Sequence, residues 1–239
     1  MIVAHQQKGD YDISLFHRIK SKYRRLYFHQ SLFEQCSCVI GSSRGLICVV
    51  GIMVTLVIMP AAGLAQSGLQ RLDERILEDL AAGRTAGQTR LWRFVSDANN
   101  YVNAGIPVGV LVDGLIRNDD RTKRNGLYMA ASTATTYLLN LAIKQLVKRR
   151  RPFITDTRLV PVYRPGEYSF PSGHTSSVFS AMTSLSRAYP KWYVIAPSFL
   201  WATGVGYSRM YLGVHYPTDV TAGAVLGAGT AFAMGFLRP

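Results

Sequence analysis

The sequence predicts an all-α fold, a bundle of about six membrane-spanning helices, and three observations carry that expectation. Hydrophobic residues make up 48% of the 239 positions and charged residues only 17%, below the roughly 25% of a typical soluble domain. Residues 46–65, LICVVGIMVTLVIMPAAGLA, form an uncharged run that matches the ~20 residues a bilayer-spanning helix requires. Five further apolar stretches follow at about 101–116, 127–147, 174–190, 193–212 and 217–236, each long enough for a helix.

Charge narrows the partner. Twenty-seven Lys and Arg stand against 14 Asp and Glu, a net charge of +13, which suits an anionic partner: nucleic acid, a phospholipid surface or a phosphorylated substrate. The cysteines are Cys36, Cys38 and Cys48. With none further along the chain and no CxxC pair, a disulfide scaffold is excluded and a Cys-ligated zinc site is disfavoured. His5, His17 and His29 sit in the N-terminal segment, so His174 and His215 are the only imidazoles in the body.

Residues 1–44 mix Lys8, Arg18, Lys20, Lys22, Arg24, Arg25 and Arg44 with scattered aromatics and no sustained hydrophobic period, and read as a basic cytoplasmic tail. The run 46–65 reads as a transmembrane anchor. Its end, Gly63-Leu64-Ala65 before Gln66, also resembles the cleavage site of a secretory signal peptide, but the long segment before it favours the uncleaved anchor.

Between residues 66 and 100, Arg71, Asp73, Glu74, Arg75, Glu78 and Asp79 alternate with leucines at helical spacing, as in an amphipathic helix with a solvated face lying outside or along the membrane. The five later stretches are rich in Ser, Thr, Gly and Tyr, and Asp113 interrupts the shortest. Small residues are what packed membrane helices use at their contacts; the same composition would suit a buried helix in a soluble bundle.

Loop charges orient the spans, because short cytoplasmic loops are enriched in Lys and Arg. With the tail inside, the loop holding Arg117, Arg121, Lys123 and Arg124 is inside, as are the loop with Arg187 and Lys191 and the end with Arg238. One outside loop breaks the rule: it begins Lys148, Arg149, Arg150, Arg151 and continues to Arg158 and Arg164.

Three polar groups lie at the outer ends of these helices. Lys144 with Arg151 and Pro152 forms K-x6-RP; on a continuous helix the two cations fall near one face two turns apart, with Pro152 ending the helix. Lys supplies a point charge and Arg a planar fork suited to phosphate oxygens, although read alone the pair is also a helix end complementing its dipole. Pro171-Ser172-Gly173-His174 precedes an apolar helix, with Ser172 suited to the N-cap and Gly173 to close backbone approach at an anion-binding helix start. Read alone, it is a turn and a cap. Ser208-Arg209, His215 and Asp219 form SR-x5-H-x3-D around the start of the last helix, where Pro217 suits the first turn. Asp219, one turn beyond His215, can orient the imidazole and leave its other nitrogen as a nucleophile.

Taken in order, K-x6-RP, PSGH and SR-x5-H-x3-D resemble the three-part signature of the type 2 phosphatidic acid phosphatase (PAP2) family, which shares its site with bacterial class A acid phosphatases and vanadium haloperoxidases. The resemblance implies that His215 attacks phosphorus to form a phosphohistidine, that Asp219 orients it, and that His174 protonates the leaving oxygen and then activates water. Lys144, Arg151, Ser172, the Gly173 backbone N–H and Arg209 would cradle the phosphoryl oxygens. It implies no metal and no cofactor.

The expected protein is a lipid phosphatase of a bacterial-type cytoplasmic membrane with its site facing the periplasm or exterior, its partners a phosphorylated lipid and the membrane. The expected organisation is a tail 1–44, an anchor or signal peptide 45–66 and a phosphatase domain 67–239. Relatives with similar motifs process phosphatidic acid, phosphatidylglycerol phosphate, undecaprenyl diphosphate and lipid A phosphates; the loop Phe153 to Phe170 and the outside segment before residue 100 are expected to set that choice. The alternatives are an exported acid phosphatase released after Ala65 and a vanadium haloperoxidase, the latter disfavoured because such enzymes are longer and soluble. A nucleic-acid partner is disfavoured by the absence of a binding motif and by cations clustered at helix ends.

Overall fold

The computed structural model describes residues 66–239; the expected tail and the run 46–65 lie outside the described residues. Numbered from the first described helix, the order is α1 (Gln66–Ala82), α2 (Ala86–Ile116), α3 (Asp120–Val147), the single turn α4 (Pro152–Thr155), α5 (Gly173–Ala188), α6 (Trp192–Tyr211) and α7 (Pro217–Ala233), closed by a 3-10 turn at Met234–Leu237. Among the described residues there is no strand, only one isolated bridge between Arg150 and Tyr168. The all-α expectation holds, and α3, α5, α6 and α7 fall on the apolar stretches.

The segment before residue 116 divides differently from the expectation. The stretch at 101–116 is the second half of a helix that starts at Ala86, where Thr85 accepts a hydrogen bond from the Gln88 N–H at 3.3 Å. Arg90, Arg93 and Asp97 lower the hydropathy of its first half, but helix continuity is set by backbone hydrogen bonding. Asp119 caps α3, accepting from the Arg121 N–H at 3.0 Å and the Thr122 hydroxyl at 2.6 Å. The expected helix from Lys144 through Arg151 is also corrected. Lys148 takes a left-handed conformation (φ 48°) and ends α3, and Arg151 is extended. The residue before a proline is pushed out of the α region, so Pro152 opens α4 instead of terminating α3.

The bundle buries many polar side chains beside its apolar clusters and exposes large apolar ones. Ser96, Asn99, Asn103, Ser132, Thr136, Asn140, Ser176 and Ser180 are buried, whereas Tyr101, Ile116, Leu138 and Leu200 are 65–82% exposed. Close helix contact comes from glycine, as the small-residue composition predicts. A Cβ at Gly223 or Gly227 of α7 would lie 2.8 Å from the Ser172 carbonyl or 2.1 Å from the Ser176 carbonyl of α5, so these helices touch backbone to backbone. An apolar cluster of Val178, Ala181, Met182, Ala202 and Val205 joins α5 to α6, with Val95, Val102 and Ile106 of α2 packed against it. By length and composition, Pro217–Leu237 is the one described helix that passes as a membrane span.

Chain direction gathers the end of α3 and the starts of α5 and α7 with the end of α6 at one end of the bundle. The basic loops around 117–124 and 187–191 lie at the other. There Arg187 donates to the carbonyls of Ala231 and Phe232, and Arg238 donates to the Arg187 carbonyl.

Candidate active site

The three polar groups interlock at the first of these ends. Lys144, in the last turn of α3, donates through Nζ to the carbonyls of Tyr168 (3.3 Å) and Pro171 (3.1 Å). The Ser172 N–H donates to the Asp219 carbonyl at 3.1 Å, which ties the start of α5 to the start of α7. Arg151 donates through Nη1 to the Val214 carbonyl at 2.7 Å and through Nε to the Gly166 carbonyl. Arg209 is 1% exposed and donates to the Ser96 hydroxyl and the Tyr163 hydroxyl. The site is thus assembled by backbone carbonyls and hydroxyls from elements far apart in the chain.

The electrostatics follow from what is missing around those cations. Lys144, Arg151 and Arg209 all bond to neutral oxygens, and among the described residues none of them forms an ion pair. Buried charge without a counter-charge is costly. Buried Arg151 and Arg209 and half-buried Lys144, whose charges all act on His215, make a site for an anion with several oxygens.

His215 sits among them in the short connection between α6 and α7 and is 2% exposed. Its Nε2 lies 3.2 Å from Arg151 Nη1. A guanidinium only donates, so Nε2 carries the lone pair and the proton sits on Nδ1, which faces Asp219 Oδ2 at 3.6 Å. The expected hydrogen bond between His215 and Asp219 is therefore not made, since 3.6 Å is too long. Asp219 Oδ2 accepts instead from the Tyr216 N–H at 2.9 Å, as befits the third residue of a helix. Burial, followed by the charges of Arg151, Arg209 and Lys144, holds the His215 pKa well below the ordinary histidine value. The imidazole is neutral at neutral pH.

Ser172 occupies the N-cap position of α5, but its hydroxyl makes no cap bond and accepts from Thr175 at 2.8 Å. Gly173 opens the helix, where a Cβ would lie 3.5 Å from Asn140 Oδ1, an ordinary contact. His174, the second residue of α5, is half-buried. It lines a cleft of about 530 Å³ between α2, α3 and α5, whose wall includes Ala104, Pro107, Val108, Ala130 and Tyr137.

Sequence reasoning missed four participants. Ser96 and Tyr163 hold Arg209, and their contacts cross the chain without any local pattern. Arg149 donates to Asp219 Oδ1 at 2.8 Å, and Asp73 Oδ2 accepts from Arg149 at 2.9 Å. Asp73 is 2% exposed, which corrects the reading of its helix face as solvated. Arg149 was visible as part of the basic run, two positions before Arg151, but not as a carboxylate partner.

The PAP2 superfamily profile matches residues 125–236, which contain all three groups. The chain carries a PAP2 superfamily domain. The chain is 35% identical over 127 residues to the undecaprenyl-diphosphatase of Sulfolobus acidocaldarius, covering 52% of this chain and 61% of that protein. It is 34% identical over 114 residues to phosphatidylglycerophosphatase B of Bacillus subtilis, covering 43% of this chain and 53% of that one. The chain thus spans between half and two thirds of the length of these curated relatives. The crystal structure of a transmembrane PAP2 type phosphatidylglycerolphosphate phosphatase from Bacillus subtilis superposes with a TM-score of 0.65 at 25% identity, covering 77% of this chain and 93% of that one.

Proposed function

We propose that this PAP2 protein is a membrane phosphatase that hydrolyses a phosphomonoester or diphosphate of a lipid through a phosphohistidine. The observation that carries the reading is a set of cations without carboxylate partners beside His215: buried Arg151, 3.2 Å from its lone-pair nitrogen, buried Arg209 and half-buried Lys144, whose charges all act on the imidazole. In the proposed reaction His215 Nε2 attacks phosphorus, and the bond from phosphorus to the leaving oxygen breaks. His174 gives that oxygen its proton. A water then attacks the phosphohistidine, His174 takes the water's proton, and the P–N bond breaks to release phosphate and restore neutral His215.

Lys144, Arg151, Arg209, Ser172 and the Gly173 N–H stabilise the charge that builds on the phosphoryl oxygens. Asp219 stabilises the imidazolium character of His215. Charge neutralisation by side chains leaves no step that calls for a metal.

A lipid substrate is supported by the apolar cleft beside His174 and by the exposed aliphatic and aromatic residues of α2, α3 and α6, which suit acyl or prenyl chains. The named relatives act on phosphorylated lipids. The orientation we propose puts the basic loops around 117–124 and 187–191 in the cytoplasm, by the positive-inside rule, and the site at the periplasmic or exterior face of the cytoplasmic membrane. The phosphatase domain runs from residue 67 to 239, since α1 contributes Asp73 to the site end.

The test is turnover by the purified protein in detergent on phosphatidic acid, phosphatidylglycerol phosphate, undecaprenyl diphosphate and lipid A, with nitrophenyl phosphate as the soluble control. At least one lipid is turned over far faster than the control, EDTA leaves the rate unchanged and vanadate inhibits. Equal or better turnover of the soluble ester, with release of the protein from membranes by carbonate, would replace this reading by an exported acid phosphatase.

A further inference from the structure

Arg149 differs from Lys144, Arg151 and Arg209, the cations around His215. Its fork is fully used: Nη1 donates to Asp219 Oδ1 (2.8 Å) and the Thr218 hydroxyl (2.7 Å), and Nη2 donates to Asp73 Oδ2 (2.9 Å) and Gln70 Oε1 (2.8 Å). The guanidinium also lies 4.0 Å from the centre of the Tyr216 ring. Asp73 completes the arrangement by accepting from the Thr218 N–H at 3.1 Å and from the Thr218 hydroxyl. Two buried carboxylates, one from α1 and one from α7, therefore share a single cation behind the nucleophile, while the three cations in front of it have no carboxylate.

We propose that Arg149, anchored by Asp73, is a positioning residue that fixes Asp219 against His215 and sets the basicity of that histidine. This rests on the phosphohistidine reading. Asp219 has one oxygen taken by Arg149 and the other by the Tyr216 N–H, so its carboxylate cannot rotate away from His215 Nδ1. Arg149 donates every bond to the carboxylate side and has no share in holding phosphate. Asp73 balances the charge of Arg149, which leaves the negative charge of Asp219 effective at His215. Both roles require the bidentate fork; a lysine at 149 keeps the charge but reaches one carboxylate at a time.

The charged groups facing His215 are Asp219 on α7, Lys144 on α3, Arg151 before α4 and Arg209 on α6, with His174 on α5 as a further titratable group. Against that fixed set, removing the Arg149 charge raises the His215 proton affinity, and removing the Asp73 charge lowers it. The two variants thus shift the acid limb of kcat/KM in opposite directions, which a loss of packing alone would not do.

The experiment measures kcat, KM, the pH profile and phosphohistidine accumulation for the full-length protein and for Arg149→Gln, Arg149→Lys and Asp73→Asn, using a short-chain phosphatidic acid in detergent. Arg149→Gln is expected to lose about 10- to 100-fold in kcat, the range for removal of an outer-shell partner, with KM held and the acid limb moved to higher pH. Asp73→Asn loses less and moves the limb to lower pH. Arg149→Lys loses turnover with the limb in place.

Limbs that stay together in all variants, or that move the same way in Arg149→Gln and Asp73→Asn, overturn the positioning role while the phosphatase reading stands. If Arg149→Gln does not fold, the contrast between Asp73→Asn and Arg149→Lys decides it by the same criterion. Absence of phosphohistidine in an active wild type overturns the mechanism itself and the positioning role with it.

Discussion

Arg151 holds a guanidinium nitrogen 3.2 Å from Nε2 of His215, so one cation selects the tautomer of the imidazole and, in the proposed reaction, borders the position of the phosphorus. The same guanidinium is pinned by the carbonyls of Val214 and Gly166. Arg151→Lys keeps a positive charge but loses the fork that makes these contacts together. Loss of a hydrogen bond to a charged group is worth about 1.5–3 kcal/mol, and kcat/KM for a lipid phosphate should fall accordingly. Steady-state kinetics check this, and an unchanged kcat/KM would remove Arg151 from the phosphate cradle.

The two body histidines should fail differently. His215→Ala should abolish turnover and the covalent intermediate together. His174→Ala should lose a general-acid contribution of typically ~100- to 10,000-fold on alkyl phosphates, yet partly spare nitrophenyl phosphate, whose leaving group needs no proton. Acid-labile phosphohistidine, trapped by quench with radiolabelled substrate, distinguishes them. Its accumulation in His215→Ala would reverse the assignment of nucleophile and acid.

His215 also predicts a pH dependence of stability. Its pKa is depressed in the folded state, so above the unfolded value of about 6.5 both states are neutral and its contribution is fully present. As pH falls below that value the unfolded chain takes up a proton that the folded one refuses, and stability declines by up to about 1.4 kcal/mol per pH unit until the folded pKa is reached. His215→Asn removes this proton uptake. Thermal midpoints in detergent between pH 7.5 and 5 should therefore drop more steeply in the wild type than in the variant; parallel curves would mean that His215 is not held neutral.

The parts of the site that were legible in the sequence are those written in short spacings: PSGH at the start of α5, His215 and Asp219 around the start of α7, and Lys144 with Arg151. Even there the spacing misled on geometry, because Arg151 reaches the site by leaving the helix and not by staying on it. Apolar stretches located α5, α6 and α7 to within three residues at each end. They missed the first half of α2, whose charged residues mask a helix from a hydropathy reading. Asp73 and Arg149 were hidden for another reason. They lie 76 positions apart in two charge-rich segments, and a charge run reads as solvated until a partner appears across the fold.

Gly227 tests the packing that carries PSGH to its place. A methyl group there would sit 2.1 Å from the Ser176 carbonyl and 2.8 Å from the Ser180 nitrogen, both backbone atoms of α5. Backbone cannot rotate aside, so Gly227→Ala should push α7 from α5 and cost at least the ~1–3 kcal/mol of an overpacked core, with loss of activity through displaced His174. Gly105→Ala meets nothing within 4 Å and should be neutral or stabilising by about 0.5–1 kcal/mol, as for a helix-interior glycine. Thermal midpoints of the two purified variants give the comparison, and equal midpoints would contradict the close α5 and α7 crossing.

Topology supplies the last prediction. Arg121, in the first turn of α3, and Thr157, beyond α4, are both exposed and sit at opposite ends of the bundle. The Arg121 end gathers Arg117, Lys123, Arg124, Arg187, Lys191 and Arg238, which the positive-inside rule keeps in the cytoplasm. The Thr157 end is also basic: Arg149 engages two carboxylates, Arg151 carbonyls beside His215 and Arg158 Asp156 and Glu78, while Lys148, Arg150 and Arg164 are exposed. With the two basic loops at 117–124 and 187–191 and the Arg238 end all placed inside, the site end should be the exported one, its own basic loop serving an anionic substrate. In a background with Cys36, Cys38 and Cys48 replaced, a cysteine at position 157 should react with a membrane-impermeant thiol reagent in intact cells, and one at position 121 only after permeabilisation. The reverse pattern would place the phosphate cradle on the cytoplasmic face, where it would meet a different pool of phosphorylated lipids.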